Sequence, residues 1–151
     1  MGNIEREYYS NGNIYKESYF NNGKQHRING PAHIVYHLNG SISVEEYYIN
    51  GKLHREDGPA YICYYQNGDI SIEKYCINDL LHKIDGPAWI YYNIVGNIVK
   101  EEYYQNGKLH RLDGPARTWY NEDGTTIEAY MIDGEQYDVF QYSVIVACIG
   151  E

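Results

Sequence analysis

The sequence predicts an all-β fold: one elongated single-layer antiparallel meander of stacked β-hairpin repeats, about ten strands long, closed by a short C-terminal cap. Three observations carry that reading. The triplet Gly-Pro-Ala recurs at 30, 58, 86 and 114, always 28 residues apart. Between the triplets lie runs such as PAYICYYQNG and DISIEKYCIND, short, rich in β-branched and aromatic residues, and bounded by turn chemistry. No stretch with a helical period competes with them before the C-terminus. A self-similar period of this length marks a repeat architecture in which each unit buries its apolar face on its neighbours.

The N-terminal half unit contributes Gly12, and four full units follow, so a repeat domain spans residues 1–137 and a cap segment residues 138–151. Each unit has a first turn at Gly40, Gly68, Gly96 or Gly124, ten residues past the triplet glycine. The residue before that glycine varies (Asn11, Asn39, Asn67, Val95, Asp123), and a type I′ turn would force the β-branched Val95 to positive φ. A type I turn followed by one left-handed glycine and a bulge is therefore expected. Such a loop would place Ala60, Ile62 and Tyr64 on one face with Ile70 and Ile72, as the buried face. The same holds for Ala32, Ile34, Tyr36, Ile42 and Val44, and for Ala88, Ile90, Tyr92 and Ile98. The opposite face would carry the pairs Glu17/Tyr19, Glu45/Tyr47, Glu73/Tyr75, Glu101/Tyr103 and Glu128/Tyr130, with His33, Tyr61, Trp89 and Arg117 among its variable positions. A second turn follows at Asn22-Gly23, Asn50-Gly51, Asn78-Asp79 and Asn106-Gly107, and its last copy, Asp133-Gly134, arrives one residue early.

The joint between hairpins reads KLHREDGPA from Lys52 and KLHRLDGPA from Lys108, with looser copies from 24 and 80. Asp-Gly-Pro is turn chemistry, and proline opens a strand without needing a ladder donor. We read His26, Arg27, His54, Arg55, Asp57, His82, Lys83, Asp85, His110, Arg111 and Asp113 as structural joints that clip one unit to the next. A metal site is disfavoured. Equivalent histidines lie two strands apart, about 9–10 Å, whereas zinc ligands must all lie within about 2.0–2.3 Å of the ion. Catalysis is disfavoured too, because five copies of one Glu/Tyr pair on a flat sheet offer no cleft, and no nucleophile elbow, phosphate loop or HExxH is present. No catalytic residue, metal or cofactor is assigned.

The 19 tyrosines outnumber two Phe and two Trp. Tyr47, Tyr61, Tyr65, Tyr75, Trp89, Tyr91, Tyr103 and Trp119 form the candidate binding face, since rigid amphipathic rings are enriched at interfaces. Cross-strand packing of the same rings is the competing reading. A net charge of −9 argues against nucleic acid and against anionic lipid. Three cysteines at no motif spacing imply neither a disulfide framework nor zinc. The opening MGNIEREYYS has no apolar core for a secretory signal and lacks the Ser or Thr of a myristoylation motif. An intracellular, cytoplasmic setting is expected. In the C-terminal YDVFQYSVIVACIGE, Asp138 can cap a short helix laying Val139, Phe140, Tyr142, Val146 and Ile149 over the last hairpin, while SVIV equally suits a final strand. The helix is the reading we carry forward.

The units YYINGKLHREDGPAYICYYQNG and YYQNGKLHRLDGPARTWYNEDG resemble MORN-type repeats, especially the variant repeats of giant DNA viruses, amoebae and bacteria. The resemblance covers about nine tenths of the chain. It implies an elongated sheet of stacked hairpins and a role as scaffold, protein-interaction module or, in some members, membrane-associated platform. The 28-residue unit and the HRxDGPA joint depart from the usual pattern. Three functional expectations follow: a non-enzymatic scaffold for a protein partner of unknown identity, a self-associating structural component such as one in a virion, or a glycan binder on an aromatic face.

Overall fold

The computed structural model describes residues 2–149; Met1, Gly150 and Glu151, at the ends of the two segments assigned above, lie outside the described residues. The N-terminal half unit is the hairpin β1 (Asn3–Tyr8) and β2 (Ile14–Asn21), with the short β3 (Lys24–Gln25) beside β2. Unit one continues through β4 (His33–Tyr36), β5 (Ile42–Glu46), β6 (Tyr48–Ile49) and β7 (Lys52–Leu53). Unit two holds β8 (Tyr61–Tyr64), β9 (Ile70–Lys74), β10 (Cys76–Ile77) and β11 (Leu80–Leu81). Unit three repeats the set as β12 (Trp89–Tyr92), β13 (Ile98–Glu102), β14 (Tyr104–Gln105) and β15 (Lys108–Leu109). Unit four has β16 (Arg117–Tyr120), β17 (Thr126–Ile132) and β18 (Glu135–Tyr137), and α1 (Val139–Ile149) follows.

The long strands run in one antiparallel sheet in the order β1-β2-β4-β5-β8-β9-β12-β13-β16-β17-β18, a meander without crossovers. Leaving out the short β3 and β18, the ten hairpin strands are those the sequence predicts. The short strands are additional. β6 pairs with β7, β10 with β11 and β14 with β15, each through a two-residue turn in which both central residues have positive φ, such as Asn50 (53°) and Gly51 (83°). This is the type I′ turn that Asn-Gly favours. Main-chain bonds then stack each small hairpin on the next: the Arg55 amide donates to the Cys76 carbonyl (3.1 Å), and the Asp79 amide to that of Leu53 (2.9 Å).

The first turn has the expected form. The Gly68 amide donates to the Tyr65 carbonyl at 2.9 Å, the Tyr65 amide to the Asp69 carbonyl at 2.8 Å, and only Gly68 is left-handed (φ 93°). A further shift follows that the sequence reading did not anticipate. Tyr64 lies opposite Ile70 but Cys63 lies opposite Ile72, leaving Ser71 unpaired as a bulge. Tyr15, Ser43 and Val99 are the equivalent unpaired residues. One extra residue exchanges the two faces of everything beyond it. Ile62 therefore faces the same side as Glu73, while Ile72 joins Cys63 on the other, so the predicted grouping of Ile62 with Ile72 is corrected. In unit four no bulge occurs, and Thr118 pairs with Glu128 directly. The residue missing before Asp133-Gly134 is the bulged one.

The repeated face thus carries Ala, Ile, Glu and Tyr together. Ala32, Ala60, Ala88 and Ala116 are fully buried, and Ile34, Ile62 and Ile90 nearly so. Each such Ile stabilises the stack by about 1.5–3 kcal/mol. Across the top of this core, tyrosines reach back one unit: the hydroxyls of Tyr64, Tyr92 and Tyr120 donate to Glu45, Glu73 and Glu101, each at 2.8 Å. Burial first, and these carboxylates second, push the three phenols upward, Tyr120 to about 12.

At the C-terminal end the helix reading is the one observed. The Gln141 amide donates to Asp138 Oδ1 (2.9 Å), and Gln141 Oε1 accepts from the Asp138 amide (3.2 Å), a reciprocal cap. Of the five side chains expected to cover the last hairpin, however, only Tyr142 is buried; Val139, Phe140 and Ile149 are exposed. Among the described residues no helix is long and apolar enough to cross a membrane.

Deleting Ser71 is expected to remove the bulge and keep Ile62 opposite Glu73, as unit four does naturally, at a cost within about 1 kcal/mol. Inserting one residue between Ile62 and Cys63 should instead reverse the faces and abolish cooperative melting. Thermal denaturation of the two variants checks the pair.

Candidate functional site

The joints form a continuous column on the repeated face. In each, the basic side chain lies over the ring of the Glu/Tyr pair: Arg27 over Tyr19 (4.0 Å), Arg55 over Tyr47 (4.1 Å), Lys83 over Tyr75 (3.7 Å) and Arg111 over Tyr103 (3.9 Å). On its other side the guanidinium meets the triplet glycine. A Cβ built on Gly58 would stand 3.0 Å from Arg55 Cζ, and one on Gly114 3.2 Å from Arg111 Cζ. The glycine is needed because the cation is sandwiched between its Cα and a tyrosine ring. Arg55 Nε donates to Asp57 (2.9 Å) and Nη1 to the Pro59 carbonyl (3.3 Å); Arg111 repeats both bonds with Asp113 and Pro115. The hydrogen bond from the guanidinium holds both Asp57 and Asp113 below the usual carboxylate range. Asp85 shares a groove wall with Lys83.

The histidines work differently. Nδ1 of His26, His54, His82 and His110 accepts the amide of the turn residue one unit on, Asn50 (3.0 Å), Asn78 (3.3 Å), Asn106 (3.2 Å) and Asp133 (3.2 Å). An accepting Nδ1 places the ring proton on Nε2. Each imidazole therefore ties a small hairpin to the following one, with the Nδ1 lone pair engaged in His26, His54 and His82, while His110 Nδ1 also lies 3.0 Å from Asp133 Oδ1. No group of three or more potential metal ligands occurs among the described residues.

The eight aromatic residues grouped as one binding face do not share a face. Tyr47, Tyr75 and Tyr103 belong to the joint column, beneath the cations just described. Tyr65 sits in the hairpin loop and donates to the Tyr92 carbonyl at 2.7 Å. Only Tyr61, Trp89, Tyr91 and Trp119 lie on the variable face. The bulge is the physical reason, since it moves the Glu/Tyr pairs to the other side.

On the variable face the partners across each strand pair are chemically matched. Read along the sheet, one row runs Ser18, His33, Glu46, Tyr61, Lys74, Trp89, Glu102, Arg117. Ser18 Oγ bonds His33 Nδ1 (2.7 Å), Lys74 lies over both Tyr61 (4.6 Å) and Trp89 (4.2 Å), and Arg117 Nε donates to Glu102. Lys100 adds an ion pair to Glu102 (3.1 Å) and also lies over Tyr91 (5.2 Å) and Trp119 (4.9 Å). Glu102 is 1% exposed, the most deeply buried charged residue described. Lys74, Lys100 and Glu102 were missed by the sequence reading. For Lys74 and Glu102 the signal was the column Glu46, Lys74, Glu102, whose sign alternates, but it is legible only once the bulge fixes which residues are neighbours. Burial, with the positive charge of Lys16 second, lowers His33 below its ordinary 6.5; burial raises Glu46 above its ordinary 4.5.

Between successive joints the repeated face opens into grooves. One of about 490 Å³ is walled by Arg27–Gly30, Tyr47 and His54–Asp57. The next, about 550 Å³, is walled by Arg55–Gly58, Tyr75 and His82–Asp85, and a third of about 280 Å³ by Lys83–Gly86, Tyr103 and His110–Asp113. Ile28 and Ile84 stand at their lips, 79% and 76% exposed. Neither a family model nor a curated protein matches the chain.

Gly58→Ala should cost about 1–3 kcal/mol by pushing Arg55 off Tyr47, and much less in an Arg55→Ala background; chemical denaturation of the double-mutant cycle measures that coupling. A second expectation concerns acid. The depressed His33 contributes stability that is present above 6.5, the ordinary imidazole value, and is lost as pH falls through its folded pKa. His33→Gln should flatten that part of the stability profile. The raised Glu46 acts in the opposite sense, favouring the folded chain as it takes up its proton.

Proposed function

We propose that this chain is a non-enzymatic, MORN-like scaffold that receives a protein partner along the grooves between its joints. The observation that carries this reading is three like-walled grooves at successive 28-residue steps. Their walls are held rigid by the cation sandwiches and histidine ties. Rigid concave surfaces flanked by exposed apolar lips, as at Ile28 and Ile84, suit protein contact. The variable face supports a partner less well, because its side chains are spent on one another. A sugar-binding role has the same difficulty: lysines already lie over Trp89, Tyr91 and Trp119.

A structural, self-associating role is the second reading, favoured by the two ends of the sheet. All six residues of β1 are exposed at one edge, and α1 presents Val139, Phe140, Val144 and Ile149 at the other. Unpaired strand edges and exposed apolar helices both invite association.

A photo-crosslinking side chain at Ile84 should capture a discrete partner, while the same group at Ile127, 57% exposed on the variable face, should not. Equal capture from both positions would remove the groove reading. A mass that rises with concentration and is restored to the monomer by Phe140→Asp would favour the second.

A further inference from the structure

The series of grooves has a fourth member, and the chain itself fills it. Beyond the last joint, where a fifth would stand, the ring of Tyr142 packs on Tyr130 with centroids 4.9 Å apart. Tyr130 is the unit-four equivalent of Tyr47, Tyr75 and Tyr103. The Tyr142 hydroxyl accepts the Gly114 amide at 3.0 Å, and its own proton has the Arg111 and Gly114 carbonyl oxygens at 3.0 and 3.1 Å. Tyr142 is thereby 7% exposed, the one buried side chain of α1. A phenol is bound there at both ends: its ring by an aromatic wall, its oxygen by a donor and acceptors from the main chain of one joint.

The same main-chain elements line the three open grooves, at Arg27 and Gly30, at Arg55 and Gly58, and at Lys83 and Gly86, each with its own tyrosine wall. No hydrogen bond among the described residues takes up the amides of Gly30, Gly58 or Gly86. The triplet glycine has two duties in this arrangement. It admits the basic side chain on one side, and it offers an unobstructed amide to the groove on the other.

We infer that each open groove is a socket for a tyrosine side chain of the partner, its hydroxyl held as that of Tyr142 is held in the fourth. This rests on the groove reading above and names the group that is recognised. The ring packs on the cation that covers Tyr47, Tyr75 or Tyr103 (Arg55, Lys83 or Arg111 in turn), in place of the direct ring contact that Tyr130 makes with Tyr142. The hydroxyl supplies specificity, because a phenylalanine would leave the glycine amide and the facing carbonyls without a partner in a closed contact.

The intact chain, isotopically labelled, is titrated with 4-ethylphenol and separately with ethylbenzene, which has the ring without the hydroxyl. The expected result is saturable movement of the Gly30, Gly58 and Gly86 amide resonances with the phenol and none with the hydrocarbon. In Tyr142→Ala the emptied fourth groove should add Gly114 to the responding set, and the phenol should raise the melting temperature of that variant. Movement confined to Gly114 would overturn the inference, leaving the phenol contact as a device of the end cap alone. Silent glycines together with selective crosslinking at Ile84 would also overturn it, while the groove reading stands. Concentration-dependent changes at the same glycines without any added phenol would place Tyr142 of a second copy there and overturn the assignment to a different partner. Should Tyr142→Ala fail to fold, the titration of the unaltered chain still decides.

Discussion

A single unpaired residue after each of the first four hairpin loops governs this structure. Side chains in a strand alternate between faces, so the bulge at Tyr15, Ser43, Ser71 and Val99 decides that glutamates and tyrosines lie with alanine and isoleucine instead of against them. From that placement come the buried core stripe, the bonds from tyrosine to the carboxylate of the unit before, and the access of each joint cation to a tyrosine ring. Shift the register by one and none of these contacts survives.

The two faces then divide the work of holding units together. On the repeated face the contacts are the same at each step and reach one neighbour only: His54 to Asn78, Tyr92 to Glu73, Arg55 to Tyr47. On the variable face the contacts differ at each step but are matched locally, as in Ser18 with His33 and Glu102 with Arg117. Stability of such an array approximates a sum of unit terms and nearest-neighbour terms. Apart from Trp89 Nε1 and Glu102 Oε2, which are buried without a hydrogen-bond partner, the variable side chains pair with one another, and their diversity reads as matching between adjacent units rather than as a code for a ligand.

Much of this was legible in the chain alone. The 28-residue spacing of Gly-Pro-Ala gave the meander and its strands, Val95 before Gly96 selected the turn type, and Asp138 marked the start of the helix. The bulge was not legible, because Ser71 and Val99 have nothing in common that distinguishes them from paired residues. Its one trace was an absence, the residue lacking between Gly124 and Glu128. The error in the faces carried directly into the candidate site, dividing eight aromatic residues between two surfaces and a loop. Tyr142 stayed hidden for another reason: within an apolar helix nothing in the sequence separates the one ring that inserts from Phe140, which does not.

The alternating row Glu46, Lys74, Glu102 limits how such a gene can lengthen. Copying one 28-residue block inside the array would satisfy every repeated contact, since each looks no further than the adjacent copy. It would also set two acidic or two basic residues two strands apart along that row, on either side of an aromatic ring, where opposite signs now stand. Duplications should therefore persist most easily in pairs of blocks, which restore the order of charge.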